Sequence, residues 1–475
     1  MNPEEFRAAG HELIDWIADF RAGIDQLPVR AQVKPGEVKG KLPAVAPQQP
    51  ESFDEVLADL GSVVVPGTTQ VQHPMHFGWF PSNASLSSVL GDIASSGLGS
   101  LGISWESCPA LTEVEEVVCD WLRQETGLSD QWEGTIHDTA STACVTALML
   151  ARERSSDYSE ARGGLQSFDQ ALIVYTTSEA HSSVRKAALL AGFGADNIRN
   201  IAVDPVSRDM SVSALREVIE SDKQNGCLPC IVIASIGSTG VTAFDPLNEI
   251  VSIASAHGIW VHVDAAMSGS AMLLPECRHL WSGIEGADSL SWNPHKWMGT
   301  ILDCALFYVR NVEHLIRVMS TNPSYLRSNV DGEVTQYRDW GIPLGRRFRA
   351  LKIWFHLRLD GLDSIRSRLR RDLENAHWFA KIVDADSEWQ VVAPVRLQTV
   401  CIRHVPPGLT GQRLDDYTLN WVQAINQSGI AFMSPSKLDD GWMVRVSVGV
   451  ENTKKEHLEK LWETLQDFTS GGIRA

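Results

Sequence analysis

The stretch CIVIASIGSTGVTAFDPLNEIVSIASAHGIWVHVDAA, residues 230–266, decides the fold. An apolar run, CIVIASIG, gives way to a segment of helical spacing that stops at Gly258, and a second apolar run, IWVHVDAA, follows at once. Short continuous apolar runs separated by a helix are strands of a parallel sheet: a parallel pair needs a crossover, and its strands are buried on both faces. The alternation continues outward. ALTEVEEVVCDWLRQETG and STACVTALMLARER read as helices, ALIVYTTS as a strand, HSSVRKAALLAG as a helix ending at Gly192, and ADSLSWNP as a further strand. The pattern predicts an α/β domain whose largely parallel sheet carries helices on both faces.

The flanks differ. PEEFRAAGHELIDWIADF is amphipathic at helical spacing, residues 28–50 read as a Pro-rich extended connector, and the helical SFDEVLADLGSVVV precedes the aromatic loop HPMHFGWFPSN. The polar connector cannot bury the apolar face of the first helix (Phe6, Leu13, Ile14, Ile17). After about residue 350 one long helix, ALKIWFHLRLDGLDSIRSRLRRDLENAHWFAKIV, leads into the strand-like WQVVAPVRLQTVCIRHV and MVRVSVG, separated and followed by helices. The expected division is an N-terminal helical and extended segment over 1–85, a large domain over 86–350, and a small C-terminal α/β domain over 351–475.

A chain of 475 residues exceeds what one core serves. Its 44% hydrophobic and 21% charged content is that of an ordinary globular protein, and no apolar run approaches the roughly 18 residues that cross a bilayer. A net charge of −18 argues against nucleic acid, which is bound through clustered Lys and Arg. The first segment has neither a basic leader nor a signal-type apolar run, and the eight scattered cysteines suit reduced thiols, so a cytoplasmic small-molecule enzyme is expected. Two motifs fail on context. CLPC (Cys227, Cys230) runs into a strand and has no second CxxC, so no metal site is expected. GLGSLG, residues 97–102, matches the dinucleotide fingerprint but lacks a strand before it and a helix after it.

Ligands of parallel sheets sit at the carboxyl ends of strands, and four polar points lie there. Thr139, Ala140, Ser141 and Thr142 open a helix, which is a plain N-cap or a phosphate cradle. His181 opens another helix directly after ALIVYTTS, as a structural histidine or one that stacks on a planar ring. Asp264 ends an apolar strand, where a carboxylate is costly without a cation or strong donor, and Ala265, Ala266 and Ser268 after it leave room for something flat. Lys296, in SWNPHKWMGT, follows the strand ADSLSWN; a lysine so placed is a surface charge or an amine used as a Schiff base. One molecule asks for a phosphate cradle, an aldehyde partner, a stacking ring and an anion for a pyridine nitrogen: pyridoxal phosphate.

HVDAAMSGSAM, NPHKW, TASTA, EAHSSV and PLGRRFRALKIWF together resemble the group II pyridoxal phosphate-dependent decarboxylases, most closely the aromatic L-amino acid decarboxylases, over nearly the whole chain. The resemblance implies a fold type I, aspartate aminotransferase-like architecture with a seven-stranded sheet. It implies that Lys296 carries the cofactor, Asp264 pairs with its ring nitrogen, His181 stacks on the ring, Ala140, Ser141 and Asn293 hold the phosphate, Ala266 lies against the ring, and Thr239 and His295 face cofactor and substrate. Tyr325, in NPSYLRSNVDGEVTQYRDW, matches the tyrosine that reprotonates Cα, and its presence with His181 favours decarboxylation over an aldehyde-synthase reaction. Trp79, Phe80, Ser82 and Gly345, with Leu101 and Ile103 from a partner subunit, match substrate-pocket positions. An obligate homodimer acting on an aromatic amino acid is implied. A histidine, acidic or diamino acid decarboxylase stays open, as does a regulator with a degenerate site.

Overall fold

The computed structural model describes residues 1–321, 330 and 332–470. They form two compact units, one of residues 1–81, 374–392 and 400–470, the other of the described residues within 82–373 and of residues 393–399.

The larger unit holds a seven-stranded sheet: β1 (Glu133–His137), β2 (Leu172–Thr177), β3 (Ile198–Ile201), β4 (Leu228–Ser235), β5 (Trp260–Asp264), β6 (Ser289–Trp292) and β7 (Ala305–Val309), in the order β1-β7-β6-β5-β4-β2-β3. Neighbours from β6 to β3 pair in parallel, whereas β7 runs antiparallel to both β6 and β1. The exception follows from the connection. No helical crossover intervenes between β6 and β7, only the short turn that contains Lys296, and a link of that kind suits an antiparallel neighbour. The expected parallel α/β sheet of seven strands is present, with this one reversed member.

Both faces are covered. Ile231 and Ile233 of β4 and Trp260 of β5 pack with Ala143, Ala147 and Ala151 of helix Ala140–Ser155 and with Val184 and Ala188 of helix Ser182–Leu190. The intervening Val232 belongs to the opposite face, where helices Val212–Gln224 and Leu247–His257 lie against β4. Burying one such aliphatic side chain is worth about 2 kcal/mol, so the repeat of period two fixes the strand register strongly.

In the smaller unit, helix Pro3–Ala22 starts at an Asn2–Glu5 capping box and buries none of its residues; Phe6 is 66% exposed. The connector after it carries one short helix, Glu37–Lys41. A four-stranded sheet of β8 (Trp389–Val391), β9 (Thr399–His404), β10 (Ser434–Leu438) and β11 (Gly441–Ser447) has the order β10-β11-β9-β8. Trp389 meets Trp421 and Trp462 at 5.8 and 5.4 Å between ring centroids, which gives this unit an aromatic core of its own.

One expectation fails. The long helix after residue 350 is two, Ala350–Asp360 and Leu362–Asp384, parted at Gly361 with φ +77°. Glycine takes that left-handed conformation without steric cost, and it ends the first helix.

Candidate active site

β5 and β6 are adjacent and parallel, so the residues at their carboxyl ends emerge side by side. Asp264 stands opposite Ser291, and the Asn293 N–H donates to Ala266 O at 2.9 Å. Asp264 Oδ1 accepts the Ala266 N–H at 3.0 Å, which turns the chain sharply after the strand.

Behind Asp264 runs a buried polar chain absent from the sequence reading. Trp260 Nε1 donates to Ser289 Oγ at 2.9 Å, and Ser289 Oγ lies 2.9 Å from His262 Nδ1. Since the indole is only a donor, the Ser289 hydroxyl proton is free for Nδ1, leaving the neutral imidazole's proton on Nε2, 3.5 Å from Ser291 Oγ. Burial lowers the His262 pKa to about 4. A period of two places Trp260, His262 and Asp264 on one face, a regularity that could have flagged the chain in the sequence.

Lys296 sits in the tight turn Pro294–Met298, itself half-buried, at φ −98° and ψ −115°, outside the helical region. Its N–H donates to Asn293 O at 3.0 Å and its carbonyl accepts from Asn83 Nδ2 at 3.4 Å. His295 Nδ1 accepts the Cys304 N–H at 3.0 Å; burial first, then the Lys296 charge, brings this imidazole to about 4. Trp297 Nε1 donates to Asp372 Oδ2 at 3.0 Å, and Arg368 donates to the carbonyls of Trp297 and Met298 at 2.6 Å each. Burial raises the pKa of Asp372, with Arg368 and Arg371 opposing it. Arg368 and Asp372 thus clamp the lysine turn from helix Leu362–Asp384, some 70 positions along the chain.

Facing this turn electrostatically is His181, the N-cap of helix Ser182–Leu190. Its Nδ1 accepts the Ser183 N–H at 3.2 Å and lies 2.7 Å from Ser183 Oγ, so the neutral ring carries its proton on Nε2. Partial desolvation and then Lys296 lower its pKa, while Asp264 pulls it upward. His181 therefore feels the charges of both Lys296 and Asp264.

Helix Ala140–Ser155 begins at β1's end, with Thr139 as N-cap accepting the Thr142 N–H at 3.5 Å. Ala140 and Ser141, in its first turn, have backbone N–H groups that no preceding turn can accept, and Ser141 is exposed. Asn293 Oδ1 is buried with no hydrogen-bond partner among the described residues. In either orientation of the amide this atom has a hydrogen bond to offer. Thr239 is half-buried in the loop after β4.

The remaining candidates fall elsewhere. Trp79 and Phe80 belong to the smaller unit, where Trp79, at φ +51°, packs on Phe432 at 5.0 Å and His76 at 5.5 Å, and Arg445 covers Phe80 at 4.9 Å. Phe432 had no signal of its own in the sequence. Ser82 and Ile103 are half-buried; Leu101 is exposed and lies beside Gly345, where a Cβ would stand 3.7 Å from Leu101 Cδ1. Tyr325 lies outside the described residues. Among the described residues there is no group of acidic, His or Cys side chains that could hold a metal, and no helix long and apolar enough to cross a membrane.

Known proteins resemble this chain end to end. The family described as "Pyridoxal-dependent decarboxylase conserved domain" matches residues 35–405. Tyrosine decarboxylase 2 of Narcissus pseudonarcissus is 38% identical over 98% of this chain and 94% of its own. Phenylacetaldehyde synthase of Arabidopsis thaliana is 36% identical over 99% and 97%. The crystal structure of Oryza sativa TDC with PLP and tryptamine superposes with a TM-score of 0.96 at 32% identity, covering 99% of each chain.

Proposed function

The chain belongs to the pyridoxal-dependent decarboxylase family, and we propose that it removes the α-carboxylate of an aromatic L-amino acid to give the amine and CO2. Its cofactor is pyridoxal 5′-phosphate. The observation that carries the reading is that His181, after β2, feels the charges of Lys296 and Asp264, after β6 and at the end of β5 of the same sheet, while Asn293 Oδ1 is buried without a partner among the described residues.

The residues fit the cofactor. Ala140 and Ser141 offer backbone N–H groups, and Asn293 its amide, to the phosphate. Lys296 would hold the cofactor through its amine, and Asp264 would pair with the ring nitrogen. His181 would stack on the ring, while Ala266, having no bulk, would leave it space. Thr239 and His295 complete the surround, His295 as a neutral ring. Once bound, the cofactor would supply an electron sink for the pair that stays behind on Cα when CO2 departs. Tyr325 would deliver the proton to Cα of the product, and Ser82 and Gly345 would receive the substrate side chain, with Leu101 and Ile103 contributed across a homodimer; Trp79 and Phe80 are assigned to recognition of an aromatic ring.

The homodimer reading is supported by helix Pro3–Ala22, which exposes Phe6 and Ile14, and by exposed Leu86, Leu90 and Ile93 on helix Leu86–Leu98. A cytoplasmic location is supported by eight cysteines that are all free thiols.

The relatives include an aldehyde synthase, so the product decides. The loaded protein is incubated separately with tryptophan, tyrosine, phenylalanine, DOPA and histidine, and products are identified by mass. Amine and CO2 from an aromatic substrate are expected. Aldehyde, ammonia and peroxide, or turnover of histidine alone, would overturn the proposal.

A further inference from the structure

The loop that follows β4 is buried over most of its length and is pinned at several points. Gly237 and Ser238 both donate to Ala243 O, at 2.8 and 3.0 Å, and the Thr242 N–H returns to Ser238 O at 3.0 Å. Thr242 is held at φ +60°, and Arg208 of the neighbouring loop at φ +63°. Side chains disfavour that region, Thr most of all, and such backbone persists only where its surroundings over-determine it.

Charged groups do the pinning. Asp245 accepts the N–H groups of Ser235 and Met210 at 2.7 and 2.8 Å. Asp209 accepts the Phe244 N–H at 2.8 Å and two nitrogens of Arg396 at 2.7 and 2.6 Å. Arg208 then donates through Nε and a terminal nitrogen to Glu179 Oε1, at 3.0 and 2.7 Å, with both side chains nearly buried. The other Glu179 oxygen faces Gly240: a Cβ added there would lie 2.9 Å from Oε2.

Sequence neighbours give this contact its meaning. Glu179 lies two residues before His181, and Gly240 directly follows Thr239. We propose that Glu179 is a positioning residue: clasped by Arg208 and set against Gly240, its carboxylate locks the His181 loop to the Thr239 loop and so fixes two sides of the cofactor site relative to each other. A carboxylate suits the task. It accepts two converging bonds from a guanidinium on one oxygen and sets the second against the glycine, which approaches closely because it carries no Cβ. Glu179 touches neither cofactor nor substrate; it acts through His181 and Thr239.

The inference rests on the pyridoxal phosphate reading, and the test separates the two. Wild type, Glu179→Gln, Arg208→Gln and the double variant are stripped of cofactor and titrated with pyridoxal phosphate, following the dissociation constant and the visible circular dichroism of the bound chromophore. Apo-protein melting is recorded alongside. Each single variant is expected to bind about ten-fold more weakly, with reduced dichroism, and the double to be no worse than the poorer single. A role in folding alone would lower the apo melting temperature and leave affinity and dichroism intact, which overturns the proposal, as would additive losses in the double. Gly240→Ala, which changes no charge but crowds Oε2, should lose part of the same dichroism; if Glu179→Gln does not fold, an unchanged signal in Gly240→Ala is the refuting result. A wild type that takes up no cofactor would instead sink the functional reading beneath it.

Discussion

The Lys296 turn and the Trp79 cluster are built on opposite principles. Around Lys296 every neighbour is fixed by hydrogen bonds: Asn293 and Asn83 hold its backbone, Cys304 holds His295, and Arg368 and Asp372 hold Trp297. Trp79 is held chiefly by packing, against His76 and Phe432, with one hydrogen bond from its N–H to Ser434 Oγ at 2.7 Å. Bond making needs an amine at one position and orientation, which directional contacts supply. Recognition of an apolar ring needs only a complementary wall, which packing supplies and substitution can reshape.

The sharpest way to break the comparison is Lys296→Ala. Activity should fall at least about 10³-fold, because the amine assigned to the chemistry is removed. Residual activity near wild type would remove Lys296 from the chemistry. Arg368→Met should cost about 3 kcal/mol in urea unfolding, since it strips the carbonyls of Trp297 and Met298 of their donor and weakens the pairing of buried Asp372. A loss below about 1 kcal/mol would mean that the clamp does not hold the turn.

On the packing side, Phe432→Ala should alter the ratio of kcat/KM between tryptophan and phenylalanine about ten-fold, with kcat on the better substrate changed less. An unchanged ratio would detach the cluster from recognition. The smallest effect belongs to His76, whose two ring nitrogens are buried without hydrogen-bond partners among the described residues. Burial lowers its pKa from 6.5 to about 4, so the unfolded chain takes up a proton below pH 6.5 that the folded chain refuses until about pH 4. That contribution to stability is complete above pH 6.5 and is lost as the pH falls through 4. His76→Phe keeps the stacked ring and should add about 1 kcal/mol at neutral pH while flattening part of the acid decline. Equal acid slopes in the two proteins would place the sensitivity with His262 and His295 instead.

Legibility followed the same divide. Asp264, His181 and Lys296 could be read because each directly follows an apolar run, and in a parallel sheet those positions converge whatever the loops do. Strands β1, β3 and β7 were not located from their residues: GTIH runs into a helix start, IRNI carries Arg199 and Asn200, and ALFYV is short and lies beyond the lysine turn. Gly361 was read through as helix because the apolar spacing continues on both sides of it.

The sequence by itself determined the parallel strands β2, β4, β5 and β6, the crossover between β4 and β5, and the residues at those strand ends, because period, length and glycine stops are local properties of the chain. Only the tertiary structure decided what holds those residues. The Arg368–Asp372 clamp, the Trp260–Ser289–His262 chain, the Glu179–Arg208 contact with Gly240 and the Phe432 wall each join side chains from separate elements. No local pattern encodes such a meeting, since its energy arises only once the sheet has brought the partners together.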